Sequence, residues 1–257
     1  MSSFNSPERF NAIAEGYRTS EIHRGSPTLE RLHELVPGVK SVCDVACGAG
    51  HTALSFAGEA SRIVCIDPAS KMLQQTRQLA EEHGAIVETV EAFAESIPLP
   101  SATFDLVVSR LAAHHFKDVQ GAVWEMFRLA RPGGHIAVID IEGDEDPAVD
   151  AFNHEVEMLH DPTHVRSYTS TQWQEIFRAT GLKEVVCETR WRELPDGLTV
   201  GRWCELGKSG EASLKEIRAR MVSASAAVLS ALDIVRDPDG EFRIPVRTLL
   251  LIGRRPD

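Results

Sequence analysis

The segment Val42 to Ala57, VCDVACGAGHTALSFA, constrains the fold more than any other. An apolar run, Val42-Cys43-Asp44-Val45-Ala46, stops at Gly48-Ala49-Gly50, and Ala53, Leu54, Phe56 and Ala57 then fall on one side of a helix start. Strand, glycine turn and helix in this order make a cradle for a small molecule. The glycines allow a tight turn and let a ligand lie against bare backbone, and the helix start offers unpaired N–H groups. Gly48-x-Gly50-x-x-Ala53 also fits the loose dinucleotide fingerprint. Asp44, at the strand's carboxyl end, argues against that ligand: a carboxylate there repels a pyrophosphate and attracts a cationic amino-acid end. The other reading is a plain turn with an aspartate that caps it.

The same rhythm continues along the chain. Strands are expected at 41–46, 62–67, 86–92, 104–109, 135–140, 184–189 and 247–253. Helices are expected at 7–18, from Pro27 to Leu35 behind a Ser26 cap, to Gly84 behind a Ser70 cap, and at 118–130 and 147–159. Ser170 caps another, ending at Thr180 before Gly181, and an Ala/Ser-rich helix runs 211–232 inside a long insertion, 195–235. Strands alternating with helices imply a mostly parallel sheet covered on both faces, with ligands beyond the strand carboxyl ends. Asp44, Asp67 and Ser109 fall at such ends. Asp67 follows Gly50 by 17 positions (67 − 50), near the spacing of roughly 20 at which an acid binds ribose hydroxyls.

The 257 residues allow one large domain, and a formal charge of −11 argues against nucleic acid as a main partner. No apolar run approaches the ~20 residues that cross a bilayer, and the start, MSSFNSPERF, has no apolar signal core. The five cysteines form no C-x-x-C pair, so reduced thiols in a cytoplasmic protein are expected.

A set of short motifs in order then resembles the class I S-adenosylmethionine-dependent methyltransferases, in the branch similar to ubiquinone/menaquinone C-methyltransferases. The carriers are Asp44-x-Ala46-x-Gly48-x-Gly50, Ile66-Asp67-Pro68 with Met72-Leu73, Ala94-Glu95-Ser96-Ile97-Pro98, Phe104-Asp105 and Arg131-Pro132-Gly133-Gly134. Ser109 to Phe116 and His160 to Arg166 look like a bacterial small-molecule subgroup. The resemblance implies an α/β, Rossmann-like three-layer sandwich with a seven-stranded mostly parallel sheet, last strand antiparallel, and helical insertions forming a substrate cap. It implies one domain over 1–257: a helical lid at 1–36, a cofactor core at 37–142, cap insertions at 143–180 and 195–235, and final strands at 183–191 and 242–254. Asp44 and the Ala46, Gly48 and Gly50 turn would hold the methionine part of S-adenosylmethionine, with Tyr17 touching it from the lid. Asp67 would grip the ribose, Pro68 and Met72 pack on adenine, and backbone around Ala94 meet its edge. Many relatives carry an acid just before that alanine; here Phe93 stands there, so packing and backbone carry more of the adenine recognition. Residues 109–115 would pass the sulfonium.

The expected activity is methyl transfer from S-adenosylmethionine, leaving S-adenosylhomocysteine, to a small organic acceptor, with carbon or oxygen of an aromatic, quinone-like or secondary metabolite favoured by family analogy. Such a reaction aligns a nucleophile and excludes water, and needs a base only if the nucleophile arrives protonated. His114 is the candidate base or substrate orienter, with Asp161 and His164 supporting and His115 facing the cofactor. His160 and Arg166 are candidates for the acceptor and Arg110 for the cofactor, and either arginine could hold a carboxylate or phenolate. Pro162 breaks any helix through His160, Asp161 and His164, so no metal is expected. Trp173 and Trp203, near the insertions, are candidate substrate platforms. Two other readings stay open: a nicotinamide-dependent oxidoreductase, which lacks a Tyr-x-x-x-Lys pair here, and a cofactor-binding protein without methyl transfer.

Overall fold

The computed structural model describes residues 6–257. Residues 1–5 of the expected lid lie outside that range. Along the chain run α1 (Ser6–Thr19), α2 (Glu21–Arg24), α3 (Pro27–Leu35), β1 (Ser41–Val45), α4 (His51–Leu54), β2 (Arg62–Ile66), α5 (Ser70–Glu82), β3 (Glu88–Val90), β4 (Phe104–Arg110), α6 (Val119–Leu129) and β5 (Ala130–Ile141). Then come α7 (Pro147–His160), α8 (Ser170–Thr180), β6 (Lys183–Arg192), β7 (Leu198–Thr199), α9 (Val200–Gly207), α10 (Glu211–Ser223), α11 (Ala226–Ala231), β8 (Val235–Arg236), β9 (Phe242–Ile244) and β10 (Arg247–Arg254). The main sheet has seven strands in the order β3-β2-β1-β4-β5-β10-β6. Its first five are mutually parallel, and β10 runs antiparallel to both neighbours.

Alternation along the strands builds the two faces. Cys43, Val45, Val64, Ile66, Val107 and Val138 pack on α6 and α8 through Val123, Met126, Trp173 and Phe177. Val42, Leu106, Val108, Ile139 and Leu250 face the other way, onto Leu29 and Leu32 of α3 and onto Phe56. Asp44 shares the parity of Val42, so its side chain lies on the α3 and α4 face. The switch of strand order falls between β1 and β4, where the glycine turn leaves the sheet. Among the described residues no helix is long and apolar enough to cross a membrane.

Several expectations need correction. Ser70 is the first residue of α5 and not its cap; Ala69 stands at the cap position with no side-chain cap, and its N–H donates to Asp67 Oδ1 at 2.8 Å. Thr169, not Ser170, caps α8, in a reciprocal box with Gln172 (3.3 and 3.1 Å). The third strand is three residues long. The helix expected over 211–232 breaks at Ala224-Ser225, where the Ser225 hydroxyl caps α11. The segment 242–254 is two strands, because Phe242–Ile244 joins a separate sheet, β7-β9-β8. The expected cap segment 143–180 also divides. Val156 of α7 packs with Trp203, Ile217 and Met221 in a core of its own, whereas Trp173 and Phe177 of α8 are buried on the main sheet. Trp173 is therefore core and not a substrate platform.

Candidate active site

A cavity of about 450 Å³ opens at the carboxyl ends of β1, β2 and β4. Ala46, Cys47, Gly48 and Ala49 form its floor, Asp67, Pro68 and Met72 one wall, Phe93, Ala94 and Glu95 the next, and Arg110, Leu111, Ala112, His115 and Phe116 the far side. Pro7, Phe10 and Tyr17 of α1, with His23 of α2, cover it. Ten of the expected cofactor residues thus meet in one place: Tyr17, Ala46, Gly48, Asp67, Pro68, Met72, Phe93, Ala94, Arg110 and His115.

Asp44 and Gly50 do not reach the wall. Asp44 is buried beneath the turn, where Oδ2 accepts Ala53 N at 3.0 Å, and burial pushes its carboxyl up to about 7. Its direct grip on a ligand is replaced by a grip on the turn. Gly50 caps α4 with φ 87°, and a Cβ there would lie 2.7 Å from Thr76 Cγ2. Its glycine serves close packing on α5, whereas a Cβ at Gly48 (φ 55°) would lie 3.8 Å from the Tyr17 ring on the cavity wall. Asp67 ties the turn to β2: Oδ2 accepts Gly48 N at 2.9 Å while Oδ1 holds Ala69 N. Burial raises it to about 6, and the two backbone bonds oppose that rise.

Arg110 lies on the wall with its cation already engaged. It donates to Ile22 O (2.9 Å) and His23 O (3.2 Å) and lies 3.4 Å from Glu193, whose side chain is fully buried. It fastens α2 over the cavity, with the backbone of α2 and the Glu193 carboxylate as its partners. Leu111 beside it takes a left-handed backbone (φ 53°), strain of the kind held in place at ligand walls.

His114 is buried and is not among the residues that line the cavity. Its backbone N donates to Asp140 Oδ2 (2.8 Å) and its Nδ1 meets Asp140 Oδ1 at 2.5 Å. Nδ1 is thus the ring nitrogen engaged, through Asp140. Burial works against the imidazolium, but the Asp140 carboxylate outweighs it and raises the His114 pKa. His115 turns into the cavity, bonds Thr163 O at 3.1 Å, and is drawn down to about 4 by burial and then by His114. Glu157, pushed up to about 7 by burial, faces the same group of rings from α7.

The remaining acceptor candidates stand behind this wall. His164 is buried with both ring nitrogens unpartnered, 5.4 Å from His114 between ring centres, and burial drives it to about 2. Asp161 orients no histidine: it accepts Thr163 N and Oγ1 (2.8 and 2.7 Å) and pairs with Arg9. His160 stacks on Trp203 at 3.8 Å and bonds Ser209, off the cavity wall. Arg166 is exposed beside Tyr168, also off it. Among the described residues no group of three or more His, Cys, Asp or Glu side chains is set to hold a metal ion.

Sequence reasoning missed Asp140, although its signal was present: it is the third aspartate to sit at a strand carboxyl end, after Asp44 and Asp67. It also missed His51, which lines the cavity and bonds Tyr17 O at 3.1 Å, and Arg9, whose spacing carries no motif.

Comparison with known proteins converges on one family. Residues 43–138 match the model of the methyltransferase domain. An uncharacterised methyltransferase of Bacillus subtilis, YcgJ, is 38% identical over 178 residues, covering 67% of this chain and 70% of the relative. Its crystal structure superposes with a TM-score of 0.81 at 28% identity, over 90% of this chain and 98% of that one. The uncharacterised protein YafE of Escherichia coli is 32% identical over 189 residues, 73% of this chain and 89% of its own. A methyltransferase-like structure from Bacillus halodurans gives 0.79 at 27% identity, covering 89% and 99%. At 38% identity over two thirds of its length to one relative and 32% over nearly three quarters to another, the chain belongs to the methyltransferase domain family.

Proposed function

We propose that the chain transfers the methyl group of S-adenosylmethionine to a carbon or oxygen atom of a small aromatic, quinone-like or secondary metabolite. S-adenosylmethionine is the methyl donor of the family, and the carrying observation is the cavity itself. Asp67 spends part of its acceptor capacity on Gly48 N and Ala69 N and keeps the rest for hydroxyls. Pro68, Met72, Phe93, Ala94 and Phe116 offer an apolar wall to a flat ring. Only Arg110 and Lys117 are basic on that wall, and Arg110 is already engaged, which suits a sulfonium better than a pyrophosphate.

When bound, the cofactor supplies a sulfonium-activated methyl group. The residues of this chain bind, align and dry the site. Residues 6–36 act as a lid, 37–142 as the donor core, and α7 with 195–235 as the acceptor cap. Tyr17 and Phe10 exclude water from above, and His115 orients groups within the cavity. His114, which stands behind the cavity wall next to His115, is the candidate proton acceptor: Asp140 holds Nδ1, which leaves Nε2 to receive a proton, with His164 and Glu157 beside it.

The test is incubation with S-adenosylmethionine and a panel of phenols, quinols and small alcohols, measuring S-adenosylhomocysteine. Acceptor-dependent product that falls roughly 100-fold in His114→Gln is expected. Full activity retained on a phenol or alcohol acceptor in His114→Gln would remove the base from the scheme.

A further inference from the structure

We propose that Arg9 is a positioning residue that couples closure of α1 over the cavity to the order of the acceptor-side loop, residues 161–166. The inference rests on the donor reading above. Arg9 lies on the covering helix, one residue from Phe10, yet its side chain reaches the cap. Nη2 donates to Gly207 O at 2.8 Å and more weakly to His160 O at 3.4 Å. Gly207 ends α9 and His160 ends α7, so the guanidinium sits where two helices present unpaired carbonyls and the negative ends of their dipoles. Nε lies 2.8 Å from Asp161 Oδ1, off the N–H axis, an ion pair and not an aligned hydrogen bond; each side chain is only 12% exposed.

The contact continues inward. Asp161 accepts the backbone and hydroxyl of Thr163, Thr163 O meets His115 Nδ1, and His115 lines the cavity. The ring of Phe10 meets that same His115 edge-on, 5.0 Å between centres. Helix α1 therefore reaches His115 by two routes, directly through Phe10 and through the chain Arg9–Asp161–Thr163. Its other polar ties lead to the donor side: Asn11 accepts Lys71 N at 2.9 Å, Arg18 pairs with Glu82, and Tyr17 O meets His51. Apart from an exposed 3.4 Å bond from Lys208 to Ala12 O, Arg9 makes the polar links from α1 to the cap among the described residues.

A ligand that favours the closed helix thereby favours the ordered loop, and the coupling acts equally in reverse. Without Arg9, Asp161 keeps Thr163 but loses its cation in a largely buried place, and the loop carrying Thr163 and His164 loses its anchor to the lid.

Hydrogen–deuterium exchange of the whole protein, with and without S-adenosylhomocysteine, tests this in the wild type, Arg9→Met, Arg9→Lys and Asp161→Asn. In the wild type the ligand is expected to slow exchange in 6–19 and in 161–166 together. In Arg9→Met it still slows residues 46–50 and 67–72, binds roughly five- to tenfold more weakly, and leaves 161–166 at the ligand-free rate. Arg9→Lys recovers most of the loop protection, because an ammonium keeps the Asp161 pair without the fork. Asp161→Asn repeats the uncoupling from the other side and stands in if Arg9→Met folds poorly. Loop protection that is absent in the wild type, or unchanged in both uncoupling variants, overturns the proposal while leaving the donor reading intact. A wild type that binds no S-adenosylhomocysteine overturns the donor reading first, before any loop is compared.

Discussion

On the donor side, the cavity walls come from residues 46–52, 67–72 and 93–95, each within a few positions of a strand or of its neighbouring turn. On the acceptor side they come from α1, α2 and residues 110–118, backed by a loop and a second small core that join the chain far away in sequence. The first is held by bonds of short span in the fold: Asp67 to Gly48, Asp44 to Ala53, Thr76 to Gly48. The second depends on Arg9 meeting Asp161 and Gly207, and on Arg110 meeting Glu193. A strand end fixes its carboxylate by the geometry of the sheet, whereas a loop between two layers has its geometry fixed only by side chains from other elements.

The largest expected effect breaks the donor side. Asp67→Ala removes the hydroxyl acceptor and two backbone anchors, so calorimetry should show S-adenosylhomocysteine binding weakened about 100-fold, and Asp67→Asn less. Near-native affinity in Asp67→Ala would put the ribose elsewhere. Next, Gly50→Ala meets Thr76 and an unfavourable φ, and urea unfolding should show a loss of about 2–3 kcal/mol. Adding Thr76→Ser should return part of it, since the steric share goes with the methyl group.

A pH series sharpens the comparison. Burial raises the Asp44 carboxyl to about 7, above its unfolded value, so its contribution to stability is full below about pH 4 and is lost as pH rises through 7. Asp44→Asn keeps an acceptor for Ala53 N without a charge, and its stability relative to wild type should improve by roughly 1–3 kcal/mol between pH 4.5 and pH 8. A pH-independent difference contradicts the burial argument. Across the cavity, Asp140 raises the His114 pKa, so the pair stabilises the fold below the ordinary histidine value and loses that as pH rises through the raised one. The groups facing it are His115, His164, Glu157 and Asp161. Asp140→Asn should lower the His114 pKa and move the acid limb of the methyl-transfer profile to lower pH, with a reduced plateau. Smallest of all, Arg166→Ala should change stability by less than about 0.5 kcal/mol, as an exposed side chain beside one ring.

The same contrast explains what could be read from the chain. The sheet, its order of strands and helices, and the wall residues at strand ends were legible because period-two apolar runs and glycine turns are local signals. Asp67 followed from its place after β2, and the cap of α3 from the serine-proline pair at its start. Local signals also misled by one residue at Ser70, where Ala69 holds the cap position without a side-chain cap, and at Ser170, where Thr169 captures the helix start. Asp44 shows a different limit: its position was right, but strand parity turns it under the turn and away from the cavity. The His160, Asp161 and His164 cluster failed as a unit because sequence proximity in a loop does not set direction. Trp203 claimed His160, Arg9 claimed Asp161, and His164 packed against His114. The break between α10 and α11 and the small sheet β7-β9-β8 carry no period long enough to announce them.

The central claim is that the cavity at the ends of β1, β2 and β4 holds an adenosyl sulfonium cofactor. Isothermal titration of the wild-type protein with S-adenosylhomocysteine, alongside NAD at the same concentrations, tests it most directly. Saturable binding of S-adenosylhomocysteine that is lost in Asp67→Ala, with none of NAD, is the predicted result; binding of NAD alone would contradict it.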